Sequence, residues 1–135
     1  MNYQDTRAYL LARPEAYEDF PFGLDLAVMK IGKKMFATLV ERNGVASMNL
    51  KCDPHEALIL REIFAAVLPG YHMNKRHWNT VILDGSIPCG EVERMIDSSY
   101  ALVVKGMPRT FRQALEIRHG KAALYPVTGA ETSAG

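Results

Sequence analysis

Cysteine is nearly absent from the 135-residue chain: Cys52 and Cys89 cannot build a disulfide scaffold, and both are expected as reduced thiols. Long apolar runs are missing as well. No stretch approaches the ~20 consecutive apolar residues a membrane span needs. The opening MNYQDTRAYL lacks the basic-then-apolar order of a signal peptide, so a cytoplasmic location with no membrane partner is expected. Nor is there an excess of either charge. Sixteen Lys and Arg against fifteen Asp and Glu leave a formal +1, so any anion must be held by local charge rather than by a global field. The chain also has no Gly-rich phosphate loop and no nucleophile elbow. Cys52 with His55, His72 with His77, and Glu18 with Asp19 are isolated pairs, whereas a structural zinc wants four ligands. No catalysis, metal or cofactor is expected.

What is present suits one folded unit. A hydrophobic content of 48% at this length is enough for one continuous core. The expectation is a single domain over residues 1–118, followed by a flexible tail over 119–135 made of small and polar residues. Local charge is uneven: Lys105, Arg109, Arg112, Arg118 and Lys121 face one acid in that stretch, Glu116.

Turn and cap signals set the order of elements. A short helix from about Tyr3 stops before Pro14, and Glu15 to Gly23 reads as a loop pinned by Tyr17, Phe20 and Phe22. Gly32-Lys33 and Asn43-Gly44 are two-residue hairpin signals, giving three antiparallel strands between residues 24 and 51. Their register pairs Val28 with Ala37, Leu39 with Met48 and Val40 with Ser47. Leu24, Leu26, Val28, Met35, Ala37, Leu39, Met48 and Leu50 then form the core face. Asp53-Pro54-His55-Glu56 starts a helix whose stripe of Leu60, Ile63, Phe64 and Val67 runs to Pro69-Gly70. Thr80 to Leu83 is a strand. Pro88 opens a long helix with Val92, Met95, Ile96, Ser99 and Val103 inward, and a last helix over Thr110 to Arg118 has Thr110 and Gln113 spaced as a capping box. The class is α+β, a two-layer antiparallel sheet with helices mainly on one face, in the order α-βββ-α-ββ-α.

One segment is unusually loaded. Tyr71-His72-Met73-Asn74-Lys75-Arg76-His77-Trp78-Asn79 holds the only Trp, two His, two adjacent cations and two amides, between a helix stop and a strand. Lys75 and Arg76 suit phosphates, Asn74 and Asn79 suit sugars or base edges, and Tyr71, His77 or Trp78 could stack on an exposed base. The plainer alternative stands beside this: a Trp opening a strand is often core, and Asn in turns often satisfies backbone groups.

The string PGYHMNKRHWNTV, followed by LDG, Ser86-Ile87-Pro88 and Ile96-Asp97-Ser98-Ser99-Tyr100, resembles the MmcQ/YjbR family over roughly residues 3 to 112, and Asp19-Phe20-Pro21-Phe22-Gly23 fits it too. The resemblance implies a YjbR-like, CyaY-like fold and a DNA-binding role through a "double wing". The implied site is Tyr71, His72, Met73, Asn74, Lys75, Arg76, His77, Trp78 and Asn79. The basic hairpins at Gly32 to Lys34 and Arg42 to Gly44 are the natural wings, adding Lys33, Lys34 and Arg42. DNA is thus the expected partner, with Arg109 and Arg112 as outlying phosphate contacts and a monomer as the default state. A second class of function is a protein or small-ligand interaction module using the sheet face of Met29, Ile31, Phe36 and Val45 with the aromatic loop.

Overall fold

The computed structural model describes residues 1–126. Helix α1 (Tyr3–Leu11) leads into strands β1 (Tyr17–Asp19), β2 (Ala27–Ile31), β3 (Lys34–Arg42) and β4 (Val45–Lys51). Helix α2 (Pro54–Ile63), strands β5 (Val67–Pro69) and β6 (Trp78–Leu83), and helices α3 (Cys89–Lys105), α4 (Arg109–His119) and α5 (Lys121–Leu124) follow. The six strands form one antiparallel sheet in the order β1-β2-β3-β4-β6-β5. The class is α+β with an open sheet, as the turn signals indicate. One core cluster joins Leu10 of α1, Leu60 of α2, Ile96 and Tyr100 of α3, Leu115 of α4 and Leu124 of α5 to Ala27, Met29, Leu39 and Met48 of the sheet. Among the described residues, no helix is long and apolar enough to cross a membrane.

The two hairpin turns form where the sequence puts them. Gly32 (φ 60°), Asn43 (φ 54°) and Gly44 (φ 78°) adopt the left-handed backbone that such turns require. The Leu39–Met48 and Val40–Ser47 pairs are as expected. The Val28–Ala37 pair is not: Ala37 pairs with Met29, while the next pair is Lys30 with Met35, so Phe36 has no residue opposite. This β-bulge on β3 shifts the register by one, and a one-residue slip exchanges the faces. Ala27, Met29 and Ile31 therefore point into the core. Of the residues expected in the core, Ala37, Leu39, Met48 and Leu50 are retained and Val28 is buried too, on the opposite face beside Thr38, whereas Leu24 is 88% exposed and Leu26 and Met35 are only partly covered.

The bulge is held from the helical layer. Phe36 is fully buried, edge-to-face with the Tyr100 ring at 5.4 Å. Its carbonyl accepts a hydrogen bond from Ser99 Oγ at 2.6 Å, and Ser99 Oγ in turn accepts the Lys51 amide at 2.9 Å. Nearby, Asp97 accepts from the Tyr9 hydroxyl (2.9 Å) and from Arg13 (2.9 Å), tying α1 to α3. Burial, then the bond to Asp97, pushes the Tyr9 hydroxyl up to about 12.

Four further expectations change. Tyr17–Asp19 is an edge strand on β2 rather than loop, and Phe20 and Phe22 are exposed rather than pinned. Helix α2 starts as expected, with Asp53 accepting the His55 and Glu56 amides at 3.1 Å, but ends at Ile63. Ile63 is exposed and Val67 lies in β5, because pairing with β6 satisfies this backbone better than two more helical turns running into Pro69. Helix α4 begins at Arg109 behind Pro108, with no side-chain cap, so Thr110 and Gln113 form no capping box. Finally, the chain beyond His119 is not all tail. Gly120 turns it at φ 81°, α5 buries Leu124 completely, and the Tyr125 hydroxyl donates to Glu116 at 2.8 Å. The rest of the expected tail, 127–135, lies outside the described residues.

Candidate nucleic-acid interface

The loop between β5 and β6 carries the loaded segment, and its shape is set by its neighbours. Gly70 donates to the Trp78 carbonyl at 2.9 Å, and a Cβ on Gly70 would sit 2.8 Å from Trp78 Cβ, so only glycine lets the two arms approach. Asn74 Oδ1 accepts the Arg76 amide at 2.9 Å, and its carbonyl accepts the His77 amide at 3.2 Å, which makes the tip an Asx-type turn. The His77 carbonyl accepts the Cys52 amide at 2.8 Å, fastening the loop to the end of β4. Arg61 of α2 reaches in behind: Nε donates to Asn79 Oδ1 at 2.8 Å, and Nη2 donates to the carbonyls of Lys75 and Trp78.

These contacts divide the segment. Asn79 is 2% exposed and committed to Arg61 and the Ala57 carbonyl, so it is scaffold and out of reach of DNA. Trp78 and His77 are half-buried, and Asn74 spends its side-chain oxygen on the turn. Tyr71, His72, Lys75 and Arg76 are exposed. Tyr71 is 67% exposed, its ring 4.0 Å from that of His72, a non-glycine residue held at φ 59°. The arm is tied to the open face of the sheet: the Tyr71 amide donates to Thr80 Oγ1 (2.9 Å), which donates to Asn49 Oδ1 (2.5 Å), and Asn49 Nδ2 donates back to the Tyr71 carbonyl (3.4 Å).

Strand pairing decides which cations can act together. Lys51 pairs with Trp78, and Leu50 with Ala37, so the β5–β6 loop, the end of β4 and the β2–β3 turn share one end of the sheet. That end carries Lys33, Lys34, Lys51, Lys75 and Arg76. Among the described residues, none of the five is within ion-pair distance of an acid. Gly32 of the same turn packs on Phe111 and Met107, so the start of α4 with Arg109 lies beside this end. Arg42 does not join them. It sits at the far end of the nine-residue β3, roughly 25 Å away at ~3.3 Å per residue. There it faces Asp25 at 4.0 Å, both side chains being largely exposed. The two hairpins are thus at opposite ends of one strand, not side by side.

Among the paired cations, Arg7 holds Glu18 (2.7 Å), Arg118 holds Glu15 (2.7 Å), and Arg94 holds Glu56 (3.0 Å) and Glu91 (2.9 Å). A further basic hollow lies where α3, α4 and α5 meet, lined by Lys105, Arg109, Arg112 and Lys121, with Glu116 the only acid among the described residues that line it. Arg112 is partly engaged there, with Glu116 at 4.0 Å and the Lys105 carbonyl at 3.4 Å.

The face proposed for an interaction module is largely unavailable: Met29, Ile31 and Phe36 are all 0% exposed in the core, and only Val45 is at the surface. The face that is open instead carries Thr38, Val40, Ser47, Asn49 and Thr80. With the Phe22 and Tyr71 loops on either side it forms a groove of about 540 Å³. Sequence reasoning missed Lys51, Arg61 and this groove. All three depend on the β4–β6 pairing across 26 to 36 intervening residues, and no local pattern announces it.

The YjbR family model matches residues 11–102. Protein YbdF of Escherichia coli O157:H7 is 39% identical over 101 residues, 75% of this chain and 81% of that protein. Protein YjbR of Escherichia coli K12 is 31% identical over 115 residues, 85% of this chain and 98% of that protein. Among solved structures, the DUF419-domain protein DR2400 of Deinococcus radiodurans superposes with a TM-score of 0.78 at 33% identity, covering 84% of this chain and 87% of that one.

Proposed function

Since the chain belongs to the YjbR family, we propose on the evidence of its charged surface that it is a non-enzymatic DNA-binding protein acting in the cytoplasm. The observation that carries this reading is the gathering of Lys33, Lys34, Lys51, Lys75 and Arg76 at one end of the sheet with no acid in ion-pair range among the described residues. Unpaired cations crowded on one edge repel one another, and a phosphate backbone relieves that repulsion while releasing its own counterions. The rest of the chain has its Arg side chains largely committed to carboxylates or carbonyls, which is how a net charge near zero coexists with a cationic edge.

Arg42 and the Asn43-Gly44 turn fall outside this edge, so DNA contact is asymmetric: the Gly32–Lys34 turn and the Lys75-Arg76 loop make one contact surface. Amide chemical-shift mapping with a short DNA tests it. Shifts clustered on residues 32–34, 51 and 74–77 support the edge; shifts confined to residues 42–45, or none at all, overturn it.

A protein-interaction role is favoured by a different surface. Leu58, Ile59 and Ile63 of α2 and Leu68 of the edge strand β5 are exposed at 58%, 41%, 62% and 46%. Neighbouring apolar side chains left in water are where a partner would gain most.

A further inference from the structure

The groove on the open face lies beside the cationic edge and has a different character. Its floor is uncharged and mixed, with Thr38, Ser47, Asn49 and Thr80 set among Val40, Leu26 and Met35. Ser47 Oγ makes no hydrogen bond among the described residues, Thr38 Oγ1 accepts the Asn49 amide (3.2 Å) and keeps its own proton to donate, and Asn49 Nδ2 has one proton beyond that given to Tyr71. Its walls are aromatic and apolar, with Phe22 75% exposed on one side and Tyr71 67% exposed on the other. Arg42 closes one end, its charge only loosely met by Asp25 at 4.0 Å. At about 540 Å³ the space is in the range of small-ligand sites.

Two large aromatics, Phe22 and Tyr71, stand exposed on the walls of one groove, which is more than singly scattered surface side chains. Here the Tyr71 arm is kept over the sheet by the Thr80–Asn49 hydrogen bonds and by a His72 backbone at φ 59°. A flat, π-faced ligand with hydrogen-bonding edges fits these walls and this floor, and a negative charge on it suits Arg42. An unpaired nucleobase with its phosphate has all three properties. A base inside a duplex offers no free face to an aromatic ring.

We propose that the open-face groove receives an unstacked base, stacked on Tyr71 with its phosphate toward Arg42, so that the protein prefers single-stranded over duplex DNA. This rests on the DNA-binding reading and names the form of nucleic acid that edge and groove take together. The cationic edge then supplies affinity common to both forms, and the groove supplies the difference between them.

The test is fluorescence anisotropy of the full chain with a labelled ten-nucleotide oligothymidine and with a duplex of the same length, repeated for Tyr71→Ala and Phe22→Ala. Both residues are exposed, so the variants should fold, which circular dichroism checks. The expected result is tighter binding of the single strand, with Tyr71→Ala losing roughly 5- to 150-fold on it, the range for one base–aromatic stack, and little on the duplex. Equal affinity for the two forms in the wild type, or an unchanged preference in both variants, overturns the base site and leaves the DNA-binding reading standing. Binding of neither DNA overturns both.

Discussion

Arg61 Nε donates to Asn79 Oδ1 at 2.8 Å, behind the loop between β5 and β6. Asn79 is the last residue of the loaded segment and reads as a DNA contact by composition, yet this bond turns it inward. Replacing it by Ala leaves a guanidinium at the foot of the loop with one partner fewer. The expected cost is about 1–3 kcal/mol, the penalty for orphaning a buried polar group, read as a lower urea midpoint at unchanged slope.

Ser99 is a second buried anchor, on the helical side of the sheet. Its hydroxyl satisfies both the Phe36 carbonyl and the Lys51 amide, so Ser99→Ala removes a donor and an acceptor at once in a site with 0% exposure. A loss of about 2–6 kcal/mol is expected in denaturant unfolding, twice the single-group penalty. Ser99→Thr keeps the hydroxyl and costs less only if its methyl can be accommodated.

These two residues show where the sequence is legible. Turns, caps and helix stripes are local, and Gly32, Asn43-Gly44, Asp53 and Val92 to Val103 behave as their spacing dictates. The Phe36 bulge is not local. Its carbonyl is satisfied by a residue 63 positions away, so the shift of Met29 and Ile31 into the core could not be seen from the hairpin alone. The same holds for the site: Lys75 and Arg76 stand out by composition, whereas Lys51 joins them only through the pairing of β4 with β6.

The two thiols should react differently. Burial, followed by Glu56 and Asp53, pushes the Cys52 thiol up to about 12, while Cys89 is exposed. Only the thiolate attacks a disulfide reagent. Ellman titration at pH 8 should show one fast thiol and a second that appears on denaturation; Cys89→Ser should abolish the fast phase.

Glu15 gives a pH dependence. Hydrogen bonds from Arg118, then His119, hold its carboxyl below its ordinary value of 4.5. A depressed folded pKa means stability that is present above the ordinary value and lost as pH falls through the lower, folded one. The group is solvent-exposed, so the effect is small. Hydrogen exchange at the C-terminal turn of α4 should quicken below about pH 4 beyond its intrinsic pH trend, and Glu15→Gln should remove the excess.

If Lys75 and Arg76 contact phosphates from the cationic edge, DNA affinity must depend on salt through them. Four duplex phosphate contacts predict a slope of about −3.6 in log K against log salt, and Lys75→Ala/Arg76→Ala should reduce it by about 1.8 without changing the urea midpoint. A slope near zero in the wild type, or the same slope in the double variant, would mean that these two side chains do not touch phosphate.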